Sequence, residues 1–327
     1  MTASIPSRPV AYWVLTVAFL VLAMAVIGAI TRLTESGLSM VEWKPLIGAI
    51  PPLNDAEWQR VFDLYRETPE FRQKNFWMEI GDFKNIFFWE WFHRVWGRLI
   101  GIAYAMPLVF FWVRGMIPQG FKLKLFAGFI LGGLQGALGW YMVKSGLVER
   151  PSVSHFRLAA HLGLAFLIFG YMIWVGLALL GKPVNAATFC LRRHGWIALF
   201  FVTITIIWGA FTAGLDGGLL YNEWPLMGGQ FVPMEVTQAG ALLNDPAGVQ
   251  FVHRWLAVIT MLVVLSFAWR VKNGPLAAMV FIQVALGMAT LLSQVHLHTA
   301  AAHQAGAFIV VGLLIAQLYT LRANARA

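Results

Sequence analysis

The chain has 327 residues, of which 59% are hydrophobic and only 12% are charged. A soluble domain carries about 25% charged residues, so this composition excludes a soluble globular protein and indicates an integral membrane protein. The formal net charge is +9. The basic residues lie in short loops between apolar runs and form no patch with interleaved aromatic residues, so nucleic acid is not an expected partner. The single cysteine, Cys190, excludes an intramolecular disulfide and a cysteine-cluster metal site.

Eight apolar runs are long enough to cross a bilayer, which takes about 20 helical residues. They cover approximately residues 10–30, 88–113, 123–143, 158–180, 195–215, 248–269, 275–295 and 300–321. The sequence therefore predicts an all-α integral membrane protein with eight transmembrane helices. The first run is too long for a cleaved signal peptide, and no small-residue cleavage site follows it. The residues before it lack an Arg- and Ser-rich mitochondrial leader, so we expect a bacterial inner membrane.

Lysine and arginine are unevenly distributed between the two sets of loops. One set carries Arg8, Arg114, Lys122, Lys124, Lys182, Arg192, Arg193, Arg270, Lys272, Arg322 and Arg326. The short loops of the opposite set carry Lys144, Arg150 and Arg157, with none around 216–247 or 296–299. Basic loops stay in the cytoplasm, so both termini are expected inside. The long segment 32–87 and the loops 145–156, 216–247 and 296–299 are expected to face outward.

The outer segment 32–87 carries helical signals of its own. Asn54 followed by Glu57 predicts a capping box at the start of a helix. The apolar face of that helix consists of Trp58, Val61, Phe62 and Tyr65. Thr68-Pro69 predicts a second short helix with proline at its first position. Two interpretations fit equally well: an amphipathic pair lying on the outer surface of the membrane, or a small extramembrane cap over the bundle.

The second part of the chain repeats the order of motifs in the first. Corresponding segments are 28–31 with 209–212, 42–43 with 223–224, 93–94 with 253–254, 135–139 with 283–287, and 159–161 with 301–303. Chance could produce one such match but hardly five in order. We therefore predict two pseudo-symmetric four-helix bundles, an N-terminal half (1–181) and a C-terminal half (182–327). Since each half starts inside, the repeats are parallel.

Four of the eight histidines occupy matching positions of the repeat. They are His93 and His161 in the first half, and His253 and His303 in the second. The topology places all four at the outer ends of the second and fourth helices of each half, which can face each other across a bundle core. Two imidazoles at equal depth suit the axial positions of an iron porphyrin, whose apolar ring suits a bundle interior. The candidate contacts for its propionates are Arg94, Arg98, Arg157 and Arg254.

Less specific interpretations of the polar residues stay open. A lone histidine near a helix end is more often a hydrogen-bonded interfacial residue, which is the interpretation preferred for His155, His194, His296 and His298. Zinc or copper is a weaker alternative for the repeated histidines, because neither pair has a third ligand nearby in both halves. The arginines could instead extend to the membrane surface.

The two halves differ at one chemically important position. Glu90 lies three residues before His93, on the same helical face, whereas the aligned residue of the second half is Gln250. A carboxylate can carry a proton or stabilise a developing charge, and an amide cannot ionise. We therefore expect the chemistry in the first half and a permanent cofactor in the second. The alternative for Glu90 is an acid at a helix N-terminus, favoured by the helix dipole.

These residues resemble the motifs of the heme A synthase family, over essentially the whole chain. The resemblance is carried by Glu90-x-x-His93-Arg94, by Gln250-x-x-His253-Arg254, by the stretch 31–39 (TRLTESGLS), and by His161 and His303. It implies an eight-helix membrane monooxygenase that oxidises the C8 methyl group of heme O to a formyl group, giving heme A for terminal oxidases. The chain resembles the cysteine-poor branch, found in alphaproteobacteria and mitochondria.

The resemblance also implies where the two hemes bind. Substrate heme O is expected on His93 and His161 with Glu90 as the catalytic residue, and a heme b cofactor on His253 and His303. Heme O synthase, an electron donor and the lipid bilayer are the expected partners, and a homo-oligomer is possible. Two rival functions stay open: a di-heme b-type cytochrome that transfers electrons from quinol, and a heme transporter. The Glu90/Gln250 difference favours the enzyme over both.

Overall fold

The computed structural model describes residues 7–42, 47–146, 152–182 and 188–321. Every helix described below lies within these residues, and no strand occurs among them. Eight helices are long and apolar enough to span a membrane, which confirms the prediction. They are α1 (Arg8–Leu33), α3 (Ile80–Val113), α4 (Lys122–Gly146), α5 (His155–Leu179), α6 (Phe189–Gly214), α8 (Pro246–Arg270), α9 (Gly274–Leu292) and α10 (Leu297–Thr320). Two short helices, α2 (Asp55–Arg66) and α7 (Ala241–Asn244), lie between them.

Capping residues define where the helices of the second half begin. The Asp245 carboxylate accepts hydrogen bonds from the first turn of α8, and proline follows as its first residue. Asn273 caps α9 in the same way, again with proline in the first turn. These side chains satisfy N–H groups that have no partner inside the helix. The helix starts therefore depend on local sequence, before any tertiary contact is made.

The first four spanning helices and the last four have the same set of neighbours. In the first set α1 packs on α3 and α5, and α4 packs on α3 and α5; in the second, α6 packs on α8 and α10, and α9 packs on α8 and α10. The two sets meet where α5 lies against α6 and α10, and where α10 lies against α1. Phe166 of α5 and Phe308 of α10 stack there with centroids 3.8 Å apart. Each phenylalanine follows its repeated histidine by five residues, so the contact joins matching positions.

Helix α3 begins at Ile80, well before the predicted start at residue 88. Its extra turns pack against α2, because Phe83 stacks on Tyr65 at 5.2 Å and Phe87 meets Trp58 edge-on at 5.1 Å. The apolar face of α2 therefore faces protein, which favours the interpretation as an extramembrane cap. Asn54 caps α2 as predicted, accepting from the Glu57 amide.

The predicted second short helix of the outer segment is confirmed, with Pro69 as its first residue: residues 69 and 70 are helical, and Phe71–Asn75 continue as a π-helical turn. The Thr68 hydroxyl accepts from the Phe71 amide. One other predicted boundary needs correction. Helix α9 ends at Leu292 rather than at residue 295. Gln294 and Val295 have φ values of 54° and 60°, which are incompatible with a continuing right-handed helix.

Candidate functional site

The four repeated histidines lie deeper than the ends of their helices. His93 is almost four turns into α3, and His161, His253 and His303 are about two turns into α5, α8 and α10. The expectation that they lie at the outer ends of their helices is therefore wrong. In α3 the preceding turns pack against the outer cap, and in α5, α8 and α10 one or two turns precede the histidine.

The histidine pair of the second half has the spacing of two ligands on one metal. The ring centroids of His253 and His303 are 6.4 Å apart, with the ring planes at 84°. With metal–imidazole bonds of about 2 Å, two rings that share a metal have centroids roughly 6 Å apart. The spacing of this pair is therefore compatible with two ligands on one metal.

Both rings of this pair are oriented by backbone carbonyl groups. Nδ1 of His253 lies 3.1 Å from the Thr205 carbonyl oxygen, and Nδ1 of His303 lies 3.2 Å from that of Gln283. A carbonyl only accepts, so Nδ1 of His253 carries the proton and its Nε2 keeps its lone pair. Nδ1 of His303 also lies 3.2 Å from the side-chain nitrogen of Gln283, which is a donor. A second hydrogen bond that fixes the tautomer is typical of metal-bound histidine. Gln283 adds a hydrogen bond from its amide to the His303 carbonyl at 2.9 Å.

Glycines bring these rings against the neighbouring helices. A Cβ on Gly209 would lie 2.9 Å from Cε1 of His253, and a Cβ on Gly287 would lie 2.9 Å from Cε1 of His303. Each glycine follows the carbonyl acceptor by four residues. The missing side chain therefore lets the imidazole reach a carbonyl of the adjacent helix turn.

The first half uses the same glycine positions with different ring contacts. A Cβ on Gly139 would lie 3.0 Å from Cε1 of His161, as in the second half. On Gly28, however, a Cβ would lie 3.3 Å from Nε2 of His93, so this ring presents its opposite edge to α1. Gln135 contacts His161 through its amide nitrogen at 3.1–3.3 Å. Within the described ranges, neither of these imidazoles donates to a backbone carbonyl.

Glu90 is 2% exposed and fully hydrogen-bonded. One carboxylate oxygen accepts from the Ser39 hydroxyl at 2.8 Å and the Met40 amide at 2.6 Å. The other oxygen pairs with Arg94. Since α3 begins ten residues earlier, the interpretation of Glu90 as a helix-end acid is wrong. The carboxylate ties the outer loop to α3 one turn from His93.

Gln250 holds the matching loop differently. Its amide donates to the Tyr221 carbonyl at 2.9 Å, while its side-chain oxygen is buried without a hydrogen-bond partner. Arg254 donates to the carbonyls of Tyr221 (2.6 Å) and Glu223 (2.8 Å) and makes no bond to Gln250 among the described contacts. Among the described contacts, the arginine therefore bonds to the side chain four residues before it only in the first half, where Arg94 pairs with Glu90.

Each arginine proposed for a propionate has a structural contact already. Arg94 donates to the Met40 carbonyl at 3.0 Å, besides its pairing with Glu90. Arg157 lies over the Tyr141 ring at 4.9 Å, and the Arg98 side chain is partly buried on α3. Arg94 and Arg254 thus organise the outer loops, and propionate binding by any of the four arginines stays a prediction.

The other histidines have ordinary partners or exposed positions. His155 contacts the Leu243 carbonyl through Nε2 at 2.9 Å, and His194 accepts from Arg270 at 3.2 Å. His296 and His298 are exposed, with ring centroids 5.3 Å apart. In the part of the chain that the structure describes, no group of three or more His, Cys, Asp or Glu could hold a metal ion.

The fold defines a multi-pass membrane protein with a pair of histidines at matching helix positions in each half. The family model of the cytochrome oxidase assembly proteins, COX15-CtaA, matches residues 11–315, so the chain belongs to this family. The heme A synthase of Rhodospirillum centenum is 52% identical, covering 96% of this chain and 89% of that protein. The heme A synthase of Maricaulis maris is 47% identical over 98% of both chains, and that of Paramagnetospirillum magneticum is 43% identical over 96% of this chain and 94% of its own.

Several residues of the site were not recognised from sequence. The glycines at 28 and 209 appeared in the repeat, but nothing in the pattern showed that they lie against imidazoles. The Thr205 carbonyl carries no signal, because every residue has a carbonyl. Ser39 lies 51 residues from Glu90 in sequence, and only the fold brings the two together.

Proposed function

We propose that this chain is a heme A synthase, which oxidises the C8 methyl group of heme O to a formyl group. The observation that carries the proposal is the combination of two similar histidine pairs with a single buried acid, Glu90, beside only one of them. Family membership and the similarity to heme A synthases over nearly the whole chain support it. The N-terminal half would bind substrate heme through His93 and His161.

The C-terminal pair suits a resident heme b. The ring centroids of His253 and His303 are 6.4 Å apart, and each ring lies within hydrogen-bond distance of a backbone carbonyl. An apolar bundle interior fits a porphyrin ring, and bis-histidine ligation is an established way to hold its iron. Bound there, heme b would supply one-electron redox chemistry, and the two histidines would fix its position.

Glu90 would manage protons at the substrate. Converting a methyl group into a formyl group removes carbon-bound hydrogens, so protons have to leave the site. A carboxylate held by Ser39, Met40 and Arg94 is fixed in position, which general acid–base catalysis requires. Arg94 also balances the charge of the ionised form in an apolar environment. Gln250 cannot do this, which assigns the reaction to the first half.

We further propose a bacterial inner-membrane location with both ends cytoplasmic and both histidine pairs toward the periplasm. The positive-inside distribution supports it. The amide and hydroxyl of Ser7 contact the carbonyls of Leu179 and Met116, so the inner ends of α1, α5 and α3 lie together. Reporter fusions at Gly120 and Asn273 are expected to report cytoplasm, and one at Pro69 periplasm. A periplasmic signal at Asn273 would overturn this orientation.

The function is tested in an expression host that contains heme O, with and without this protein. Hemes are extracted and separated by chromatography, and heme A is expected only when the protein is present. A di-heme cytochrome would leave both hemes unchanged, and a transporter would change the location of heme O without producing heme A. Either result would contradict the proposal. Heme O synthase is a proposed partner because the reaction needs a supply of heme O. Oxidation removes electrons from the methyl group, and in a monooxygenation dioxygen is the oxidant. Each oxygen insertion then also consumes two electrons from a donor, so an electron donor is the second proposed partner.

A further inference from the structure

Two threonine hydroxyls meet between α6 and α8, two helix turns from His253. Oγ1 of Thr205 lies 2.6 Å from Oγ1 of Thr260. Both hydroxyls also donate to one backbone carbonyl, that of Phe201, at 2.8 Å and 3.2 Å. Polar side chains in a membrane bundle form hydrogen bonds that tie one helix to its neighbour. The two hydroxyls and the carbonyl that they share are called here the threonine bridge.

The same residue of α6 belongs to the threonine bridge and contacts the predicted iron ligand. Nδ1 of His253 lies 3.1 Å from the Thr205 carbonyl oxygen. His253 and Thr260 are seven residues apart on α8, so their side chains leave the same face of that helix. A Cβ on Gly209 would lie 2.9 Å from the His253 ring, so the ring already touches α6. Thr205 is therefore held from α8 at two points, by an imidazole and by a hydroxyl.

The first half has no threonine bridge. The repeat places Met24 and Ile100 at the positions of its two threonines, and neither has a hydroxyl. The carbonyl that matches the shared one belongs to Leu20, and the indole nitrogen of Trp96 donates to it instead at 3.2 Å. The His93 ring makes no bond to a backbone carbonyl among the described contacts. Within the described residues, the bridge and the imidazole–carbonyl contact thus occur together in one half only.

A hydrogen bond from the outer nitrogen of a metal-bound imidazole changes the properties of the ligand. It fixes the ring orientation and raises the basicity of the ligating nitrogen. A more basic axial ligand stabilises ferric heme over ferrous heme and so lowers the reduction potential. A heme of lower potential is a better electron donor to the other half. The contact between His253 and the Thr205 carbonyl therefore bears on electron transfer from the C-terminal half.

We propose that the threonine bridge holds the Thr205 carbonyl on Nδ1 of His253 and thereby keeps the reduction potential of the resident heme low. This inference rests on the proposed heme b of the C-terminal half. Thr205 and Thr260 are positioning residues, which act through the backbone of α6 and the imidazole. Loss of one hydroxyl should loosen α6 from α8 at this level, weaken the bond from His253 and raise the potential.

Three substitutions in the bridge and one outside it test this role. Thr260→Val removes one hydroxyl at nearly the same shape, and the Thr205 hydroxyl still has the Phe201 carbonyl as its acceptor. Thr205→Val removes the other hydroxyl, and Thr260→Ser is the conservative variant that keeps one. Thr203→Val is the matched control. Thr203 is exposed on the same helix, and its hydroxyl donates to the Leu199 carbonyl within α6 at 2.8 Å.

The full-length protein is purified with its resident heme, and the midpoint potential is measured by redox titration. The low-spin EPR signal shows that both histidines still bind the iron. We expect Thr260→Val to shift the equilibrium toward ferrous heme about three- to tenfold, as for one hydrogen bond, where tenfold is about 59 mV for one electron. Thr205→Val should shift it in the same direction. Thr260→Ser and Thr203→Val should keep the wild-type potential.

Each contrary result has a distinct meaning. A wild-type potential in both Thr260→Val and Thr205→Val, with the low-spin signal intact, would overturn this inference alone. An equal shift in Thr203→Val would also overturn it, because the cause would then be a general effect of losing a hydroxyl. If Thr260→Val loses its heme, the comparison of Thr205→Val with Thr203→Val decides, since both make the same change on α6. Wild-type protein without a low-spin heme would contradict the proposed heme b site as well.

Discussion

The two histidine pairs occupy equivalent positions in the repeat, yet their surroundings differ in two ways. In the C-terminal half both imidazoles lie within hydrogen-bond distance of backbone carbonyls. In the N-terminal half His93 turns its Nε2 edge toward Gly28, and a buried carboxylate, Glu90, lies one turn away. The comparison teaches that the ligand pattern alone does not decide what a site does. Ligands fixed by their neighbours suit a permanent cofactor, whereas a site with an acid beside its ligands suits turnover.

The largest expected effect comes from removing a ligand of the fixed pair. His253→Ala should abolish the low-spin signal of the resident heme, because the iron loses one of two axial ligands. Reduced-minus-oxidised spectroscopy of the purified protein measures it. His155→Ala is the control, since it removes an outer histidine that contacts the Leu243 carbonyl and the Phe211 ring. A full low-spin spectrum in His253→Ala would remove this histidine from the ligand set.

Glu90→Gln should make the first half resemble the second in chemistry. Loss of a positioned acid or base costs about 10²–10⁴-fold in rate, while His93 and His161 should still bind substrate heme. Chromatography of extracted hemes measures heme O, any hydroxylated intermediate and heme A. Gln250→Glu is the reciprocal variant and should leave heme A production unchanged.

Two results would withdraw the role of Glu90 in proton transfer. A wild-type yield of heme A from Glu90→Gln would leave the carboxylate as a link between α3 and the outer loop. Complete loss of bound heme would instead show that the hydrogen bonds to Ser39, Met40 and Arg94 hold the site together.

A smaller effect should distinguish the two glycine contacts on the first helix of each half. Gly209→Ala places a Cβ 2.9 Å from the His253 ring, whereas Gly28→Ala places one 3.3 Å from His93. Overpacking of this kind costs about 1–3 kcal/mol, so the first variant should lose resident heme when titrated with a competing apoprotein. Gly28→Ala should retain it as wild type does. Equal heme loss in both variants would indicate a general packing effect on the bundle.

The smallest effect concerns the outer segments. Tyr65 donates to Glu70 at 3.1 Å in the buried cap, whereas the comparable Tyr221–Glu235 bond of the second segment is only partly buried. Burial raises the pKa of Glu70 from 4.5 to about 8, so the folded cap favours the protonated acid. In the opened segment Glu70 loses its proton above about pH 4.5, whereas in the folded cap it keeps the proton up to about pH 8. The free energy of cap opening should therefore fall as the pH rises between these two values.

Hydrogen exchange of the cap amides, corrected for intrinsic rates, measures this pH dependence. Glu70→Gln should flatten it, because an amide keeps the acceptor for Tyr65 but does not titrate. Glu67→Gln changes an exposed acid nearby and should keep the wild-type slope. The same slope in all three proteins would mean that Glu70 does not control cap opening.

The sequence by itself determined the number of spans, the order of the repeat and the four histidines. Long apolar runs must form helices in a membrane, because no other local structure satisfies the backbone there. The correspondence between Glu90 and Gln250 also followed from sequence, since the repeat aligns these two positions directly. Asn54 was identified as a cap because the capping hydrogen bond is local.

Tertiary structure alone decided how those residues are held. A local bond from the Glu79 amide to the Asp82 carboxylate marks the start of α3, whereas the docking of its first turns on the cap, through Phe83 and Phe87, joins distant segments. The orientation of His253 depends on a carbonyl of α6, and the hydrogen bond from Ser39 to Glu90 depends on a loop 51 residues away. Periodicity and spacing report on one helix at a time, whereas imidazole orientation arises between helices. The difference between the surroundings of the two histidine pairs was therefore visible only in the packed bundle.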